Sequence, residues 1–256
     1  MAVLFFVLGV GAYYTITRGF GHVPLARANV GASDSGHSNK AVHSVTSRDS
    51  TLVETVMTVG SSVAEGWVDP KGGGYLNRAF RELSLATKVS YKIARKAVAG
   101  DYTTKVARQF PMWLREVHPQ VVVISWGALD DIEAKTPIAT FEQNVRMEIS
   151  QALAAHSVVV IVTTPITRAT YTQFQTLEPR YMNAEMAAAR SFHSPNVVIS
   201  DVFNQMKSYI AAHHQTYKPY MADGWHPNAA GHALAGQLLY VDLLRTFGVK
   251  PIFFSA

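Results

Sequence analysis

The sequence predicts an α/β protein whose parallel sheet is covered by helices on both faces. Apolar runs typical of strands alternate with helical segments from about residue 51 to the last helix. The runs that begin at Val121 and Val158 are apolar almost throughout, as is typical of strands buried on both faces. No repeat interrupts this order. The alternation therefore favours one sheet between two helical layers.

The individual elements follow from hydrophobic periodicity and from turn residues. Apolar or β-branched runs predict five strands: Leu52–Val59, Val89–Val98, Val121–Trp126, Val158–Thr164 and Val197–Ser200. Helical spacing predicts helices at Tyr75–Ala86, Thr103–Val117, Phe141–Ala155, Pro179–Arg190, Val202–Ala212 and Ala229–Phe247. Asn228 is well placed to cap the last of these. In open parallel sheets, ligands bind beyond the carboxyl ends of the strands, where the loops around Ser62, Gly100, Gly127 and Asp223 are expected to meet.

Composition limits the class of chemistry. The 256 residues are 48% hydrophobic, which suits one well-filled domain. The formal charge of +5 is spread along the chain, and aromatic residues do not alternate with the basic ones, so a nucleic-acid partner is not expected. The chain has no cysteine, which excludes disulfides, thiolate zinc sites and cysteine nucleophiles. Any catalysis must use oxygen and imidazole.

The N-terminal residues read as a targeting segment and a spacer. Met1 to Ile16 is almost wholly apolar, which predicts a signal peptide or an N-terminal membrane anchor over residues 1–27. Residues 28–50 are rich in small and polar residues, the composition of a flexible linker. The catalytic domain is then expected over residues 51–256. These features predict a secreted or membrane-anchored protein at the cell envelope.

The first candidate motif is Gly60-Ser61-Ser62-Val63-Ala64-Glu65-Gly66. It lies between the first predicted strand and a helical segment, so the hydroxyl of a serine there projects beyond the edge of the sheet. Unpaired N–H groups at such a junction can hold a negative oxygen. These are the needs of an acyl-transfer nucleophile. The alternative is that Gly60 makes a turn and Ser61 or Ser62 merely caps the helix.

The second candidate motif, Asp223-x-x-His226, stands directly before the last helix. A carboxylate three residues before an imidazole can fix its tautomer and stabilise its charged form during proton transfer. The alternative is a solvated or structural histidine. His213, His214 and His232 lack a carboxylate at a comparable offset, so we expect them to be surface or structural residues.

The two motifs together resemble those of the SGNH or GDSL hydrolases, serine esterases and lipases with a flavodoxin-like α/β/α sandwich. The Ser62 motif is similar to the family's Gly-Asp-Ser-x-x-x-Gly block, and residues 223–228 match its Asp-x-x-His-Pro-Asn block throughout. The resemblance covers about residues 51–247. It implies Ser62 as nucleophile, His226 as general base and then acid, and Asp223 as the orienting carboxylate. Gly100 resembles the family glycine whose N–H, with that of Ser62, faces the oxyanion.

The sequence departs from the family pattern in two blocks. Ser61 stands where the family usually has aspartate, outside the triad, so altered loop support is expected. In the third block, Gly-x-Asn-Asp, Leu129 replaces the asparagine that donates to the oxyanion hole. Another polar group supplies that bond, or the hole uses the N–H groups of Ser62 and Gly100 alone, or the enzyme is slow. Asp130 and Asp131 either support neighbouring loops or are simply solvated, and we expected the second.

The resemblance implies ester hydrolysis through an acyl-enzyme, on short acyl esters, lipid esters or acetylated sugars, with no metal or organic cofactor required. Two alternatives remain open at this point. The loss of the asparagine is compatible with a non-catalytic envelope protein that binds glycan or lipid through a degenerate cleft, although such a protein would not need an oriented base. Acyl transfer to an alcohol would use the same three residues.

Overall fold

The computed structural model describes residues 52–253. All of them belong to one structural unit, Arg48–Ala256. The predicted targeting segment and linker, residues 1–50, lie outside the described residues. Within the described range, no helix is both long and apolar enough to cross a membrane.

The central sheet has five parallel strands in the order β2-β1-β3-β4-β5. Their bounds are β1 Val53–Gly60, β2 Ser90–Arg95, β3 Val121–Ser125, β4 Val158–Val162 and β5 Val197–Ser200. Every residue of β3 and β4 is buried, as their apolar sequences predicted. Gly60 pairs with Ser125, so β1 and β3 end at the same level and present their following loops together.

Nine α-helices are assigned within residues 52–253. They are α1 Ser62–Glu65, α2 Gly74–Thr87, α3 Thr103–Val106, α4 Phe110–Val117, α5 Leu129–Glu133, α6 Ile138–Ala154, α7 Glu178–Arg190, α8 Val202–Ala212 and α9 Ala229–Phe247. One helical layer contains α9 in contact with α2 and with α8, and the other contains α6 in contact with α3, α4 and α7. The predicted three-layer α/β/α sandwich is confirmed.

Some element boundaries differ from the predictions. The segment Thr103–Val117 forms two short helices, because residues 107–109 turn and Pro111 occupies the first turn of α4, where its missing N–H costs nothing. The predicted loop after Gly127 contains α5. The second strand is shorter than expected and ends at Arg95. None of these changes moves a strand within the sheet.

The start of α9 is confirmed, and it fixes the end of the loop that carries His226. The Asn228 side chain accepts hydrogen bonds from the N–H groups of Ala230 and Gly231, both at 3.0 Å. Its amide also donates to the carbonyls of Pro219 and Met221. One side chain therefore caps the helix and ties down the chain that precedes it.

Candidate active site

The loop after β1 places the Ser62 hydroxyl at the carboxyl edge of the sheet. A Cβ atom on Gly60 would lie 2.1 Å from the Ser125 carbonyl oxygen, so only glycine allows β1 and β3 to remain this close. Ser62 is the first residue of α1 and is 7% exposed. Ser61 makes no side-chain capping bond to this helix. The Ser62 hydroxyl contacts an imidazole instead.

His226, Asp223 and Ser62 form a continuous hydrogen-bonded chain. The Ser62 Oγ lies 3.0 Å from His226 Nε2. On the other side of the ring, His226 Nδ1 lies 3.0 and 2.9 Å from the two carboxylate oxygens of Asp223. If Nδ1 donates to the carboxylate, Nε2 is left as the acceptor for the serine hydroxyl. The two motifs, 164 positions apart from Ser62 to His226, thus meet at one point.

The Asp223 carboxylate is held in place by its own loop. The backbone N–H groups of Trp225 and His226 donate to Asp223 Oδ1 at 2.7 and 2.8 Å. Partial burial acts to raise the pKa of Asp223, but these hydrogen bonds and the neighbouring imidazole outweigh it, so the pKa lies below its usual value. The carboxylate therefore stays ionised at neutral pH.

The backbone N–H groups of Ser62 and Gly100 have no hydrogen-bond acceptor within residues 52–253. Gly100 has a φ of 77°, which favours glycine. Glu65 supports the Gly100 loop, because its carboxylate accepts the N–H of Ala99 at 2.8 Å. Sequence reasoning did not identify this role for Glu65.

The segment after β3 carries Leu129, the departure in the third block, and Asp130, which interacts with Ser61, the departure in the first block. Leu129 is 4% exposed and has no side-chain donor. Asp130 is half-buried. Burial raises the pKa of Asp130, opposed by the Ser61 hydroxyl and by the nearby His226. The substituted Ser61 thus interacts with Asp130, and this interaction supports the loop that carries Ser62.

The expectation of a solvated acidic pair was wrong for Asp131. Asp131 is 1% exposed and accepts two hydrogen bonds from Thr103, at 3.1 Å from its N–H and 2.7 Å from its hydroxyl. Thr103 lies three residues after Gly100, so this buried carboxylate fixes the end of the Gly100 loop. Buried polar groups are costly unless they are paired, and these bonds provide the pairing.

The remaining candidate histidines lie outside the hydrogen-bonded chain. His213 and His214 are exposed. His232 is fully buried, where its Nδ1 accepts the Tyr75 N–H at 3.3 Å and its Nε2 donates to the Trp67 carbonyl at 3.0 Å. Burial lowers the pKa of His232, so it is a neutral structural residue. It holds Trp67 beside the site.

Two buried glutamates lie under the loop that follows β3. Glu148 Oε2 accepts the Trp126 indole N–H at 2.8 Å, and Glu185 Oε1 accepts the Trp126 backbone N–H at 3.2 Å. Within the described chain, the second oxygen of each carboxyl has no partner. Burial raises the pKa of Glu185 to about 8 and that of Glu148 well above its usual range. Glu185 therefore keeps its proton at neutral pH.

These carboxyls predict a fall in stability with rising pH. The folded protein retains protons that the unfolded chain releases above a pKa of 4.5, so the free energy of unfolding declines between about pH 4.5 and pH 8. Glu185→Gln, which keeps the acceptor for Trp126, should make this decline shallower in urea unfolding at pH 5 and pH 8. Glu133→Gln, at an exposed glutamate, is the control. An unchanged decline in Glu185→Gln would contradict the assignment.

Two cavities open beside the hydrogen-bonded chain. One, of about 440 Å³, is lined by Glu65, Gly66, Trp67, Val68, Pro70 and Arg95. Trp67 is 51% exposed, and its ring centroid lies 6.2 Å from that of His226. The other cavity, of about 480 Å³, is lined by Arg168, Tyr217, Lys218, Met221, Ala222 and Asp223. Among residues 52–253, no group of side chains has the composition of a metal site.

Comparison with solved structures finds the same fold in bacterial esterases. The esterase EstA from Pseudoalteromonas sp. is 15% identical and superposes with a TM-score of 0.57, covering 75% of this chain and 97% of that chain. A variant of Axe2, an acetyl xylan esterase from Geobacillus stearothermophilus, is 15% identical and superposes with a TM-score of 0.62, covering 77% of this chain and 96% of that chain. TesA is 19% identical and superposes with a TM-score of 0.57, covering 75% of this chain and 99% of that chain.

Comparison of the sequence itself gives the family. No curated protein matches the chain significantly. The model of the GDSL-like lipase/acylhydrolase family matches residues 58–234, which include Ser62, Gly100 and the Asp223–His226 loop. This match spans more than half of the 256 residues. The chain therefore belongs to the GDSL-like lipase/acylhydrolase family and is an ester-hydrolysing enzyme.

Proposed function

We propose that the protein hydrolyses carboxylic esters through an acyl-enzyme on Ser62, with His226 as general base and Asp223 as its orienting carboxylate. The observation that carries the proposal is the 3.0 Å contact between Ser62 Oγ and His226 Nε2 in a ring that Asp223 already holds. A nucleophile, a base and an orienting group in hydrogen-bond contact are the parts that serine catalysis requires.

The reaction proceeds in two halves. Ser62 Oγ attacks the acyl carbonyl carbon while its proton passes to His226 Nε2, and the negative charge on the former carbonyl oxygen is met by backbone N–H groups. Collapse breaks the bond to the alcohol oxygen, which takes the proton from the imidazole. Water then attacks the acyl-enzyme with the same histidine as base, releasing the acid and restoring the serine. Asp223 stabilises the imidazolium in both halves.

We assign the oxyanion hole to the N–H groups of Ser62 and Gly100. Both lack an acceptor within the described residues, and the Gly100 loop is held from two sides by Glu65 and by Asp131 through Thr103. Leu129 offers no third donor from its side chain. Since loss of one donor typically costs about a hundred- to thousandfold in rate, turnover slower than that of relatives with the asparagine is expected.

Short acyl esters of sugars or related alcohols are the substrates we favour. Two observations support them: the partly exposed Trp67 indole next to His226, which can pack against a sugar ring or a short acyl group, and the fold shared with an acetyl xylan esterase. The apolar N-terminal segment is the basis for placing the enzyme at the cell envelope.

Rapid-quench kinetics with p-nitrophenyl acetate test this proposal. We expect an initial burst of nitrophenol, and acid-quenched samples should carry one acetyl group on Ser62 by peptide mass spectrometry. If deacylation is faster than acylation, no burst is seen. The acetyl group is therefore also sought in His226→Ala protein after a long incubation with the same ester. Acetylation at another residue, with Ser62 unmodified, would contradict the proposal. Added glycerol distinguishes hydrolysis from acyl transfer, because a transferase would form acetylglycerol.

A further inference from the structure

We propose that the cavity beside Asp223 binds an anionic group carried by the alcohol part of the ester, so that the preferred substrates are acyl esters of alcohols that bear a carboxylate or a phosphate. This inference rests on the proposed function, because it assigns a substrate class to the same site. We call the cavity lined by Arg168, Tyr217, Lys218, Met221, Ala222 and Asp223 the basic cavity.

The charge of the basic cavity is the first observation. Arg168 and Lys218 both line it, and in the described part of the chain neither forms an ion pair with a carboxylate. The one acidic lining residue, Asp223, is already hydrogen-bonded by two backbone N–H groups and by the imidazole of His226, and its single negative charge is outnumbered by the two cations. Two cations therefore face the same concavity without a partner, which favours an anionic ligand.

The walls of the basic cavity are held by defined contacts. Arg168 precedes a short 3₁₀ turn, Ala169–Tyr171, and the Ala169 N–H donates to the Gly224 carbonyl at 2.9 Å. The Tyr171 ring stacks on the Tyr217 ring with centroids 4.7 Å apart. The segment that supplies Arg168 is therefore bonded to the segment that supplies Lys218 and to the catalytic loop. Such preorganisation lowers the entropy cost of binding.

The basic cavity adjoins the loop that carries His226. In the proposed reaction, His226 gives its proton to the alcohol oxygen, so the alcohol stands next to this imidazole when the ester bond breaks. The loop that carries His226 also supplies Ala222 and Asp223 to the basic cavity. A cavity of about 480 Å³ has room for a sugar-sized alcohol with its charged substituent.

The two cavities would then divide the substrate between them. The cavity with Trp67 and Val68 presents exposed apolar surface, which suits a ring face or an acyl chain. The basic cavity would bind the anionic substituent of the alcohol. An acetylated uronic acid and an acylated glycerol phosphate share the required chemistry, an ester next to an anion, and they differ in whether the anion is a carboxylate or a phosphate.

Paired substrates test the inference. The first pair is methyl O-acetylglucoside and methyl O-acetylglucuronoside, and the second is acetylglycerol and acetylglycerol phosphate. We expect kcat/KM for the anionic member of at least one pair to exceed that of its neutral partner by roughly tenfold at low salt, the effect of two partly exposed charge contacts. This advantage should largely vanish at about 1 M salt, where the Debye length is about 3 Å. The pair that shows it identifies the anion.

Variants of the basic cavity locate the effect. In Arg168→Gln/Lys218→Gln, the ratio of kcat/KM between anionic and neutral members should fall about tenfold, towards unity. Lys250→Gln is the matched control, because this exposed lysine lies three residues from Phe253, which bonds Glu54 near the opposite end of β1. No preference for either anion in the parent enzyme, or a preference that survives the double variant, would overturn the inference.

A binding measurement separates this inference from the proposed function. Glycerol 3-phosphate, methyl glucuronoside, glycerol and methyl glucoside are titrated into Ser62→Ala protein by calorimetry, which needs no turnover. Selective binding of an anionic member, lost in the added Arg168→Gln/Lys218→Gln background, would support the basic cavity even if Ser62 proved not to be the nucleophile. Hydrolysis that depends on Ser62, together with equal binding of all four compounds, would leave the mechanism standing and overturn this inference.

Discussion

Ser62→Ala is expected to lower kcat for p-nitrophenyl acetate by about 10⁴-fold or more, because removal of the nucleophile of a catalytic triad leaves only the oxyanion donors and substrate binding. The KM should change much less, since the hydroxyl is small and 7% exposed. The measurement is steady-state kinetics on freshly purified protein, with unfolding in urea as the check that the fold is retained.

The neighbouring serine provides the matched control. Ser61→Ala removes a hydroxyl of the same size from the same loop, but this hydroxyl interacts with Asp130 and not with His226, whose Nε2 contacts Ser62. We expect a loss of roughly tenfold or less, the cost of one supporting hydrogen bond. Equal losses in the two variants, or a Ser62→Ala enzyme with near-parental kcat, would contradict the assignment of Ser62 as the nucleophile.

Asp223→Asn should cost about 10³- to 10⁴-fold in kcat at neutral pH. The carboxylate accepts from His226 Nδ1 at 2.9 Å, whereas an amide can turn its NH₂ group toward the ring and select the tautomer that cannot accept the serine proton. The substitution also removes the charge that stabilises the imidazolium in the transition state. Steady-state kinetics from pH 5 to pH 9 provide the measurement.

Asp130→Asn distinguishes an orienting bond from mere negative charge nearby. The Asp130 carboxyl interacts electrostatically with His226 and also with the Ser61 hydroxyl, for which asparagine still offers an acceptor. We expect a loss of about tenfold or less, since only a longer-range charge interaction is removed. If Asp130→Asn were as damaging as Asp223→Asn, the role given to Asp223 would have to be shared between the two carboxylates.

Much of the fold could be read from local patterns in the sequence. The valine-rich runs of β3 and β4 are apolar on both faces, so only a strand between two helical layers suits them. The bounds of α8, α9 and β5 agree with the predictions, because Asp201 and Asn228 cap the two helices with their side chains. The break before Pro111 was missed, since an amphipathic pattern continues across it.

The sequence predicted some residues of the candidate site and missed others. Ser62, His226 and Asp223 could be named because each lies in a short motif, and the parallel sheet brings the ends of such motifs to one edge. Glu65 and Asp131 were not named as supports of the Gly100 loop, because their partners, Ala99 and Thr103, lie 34 and 28 positions away and depend on tertiary packing. The sequence alone does not show whether an acidic residue is buried or solvated.

The basic cavity could not be anticipated for a similar reason. Arg168 follows β4 and Lys218 follows α8, and 50 positions of sequence separate them without a shared motif. They meet only because the Ala169 N–H bonds Gly224 and because Tyr171 stacks on Tyr217. The proposed selectivity for the alcohol thus depends on how these loops pack, whereas Ser62, His226 and Asp223 lie in motifs that the sequence shows.

Covalent labelling tests the central claim most directly. The protein is incubated with an alkyl fluorophosphonate, its intact mass is measured, and the modified residue is located by peptide mass spectrometry. The account predicts one adduct per chain, on Ser62, with labelling slowed strongly in His226→Ala because the hydroxyl then has no base. An intact protein without an adduct, or an adduct on another residue while Ser62 remains free, would contradict it.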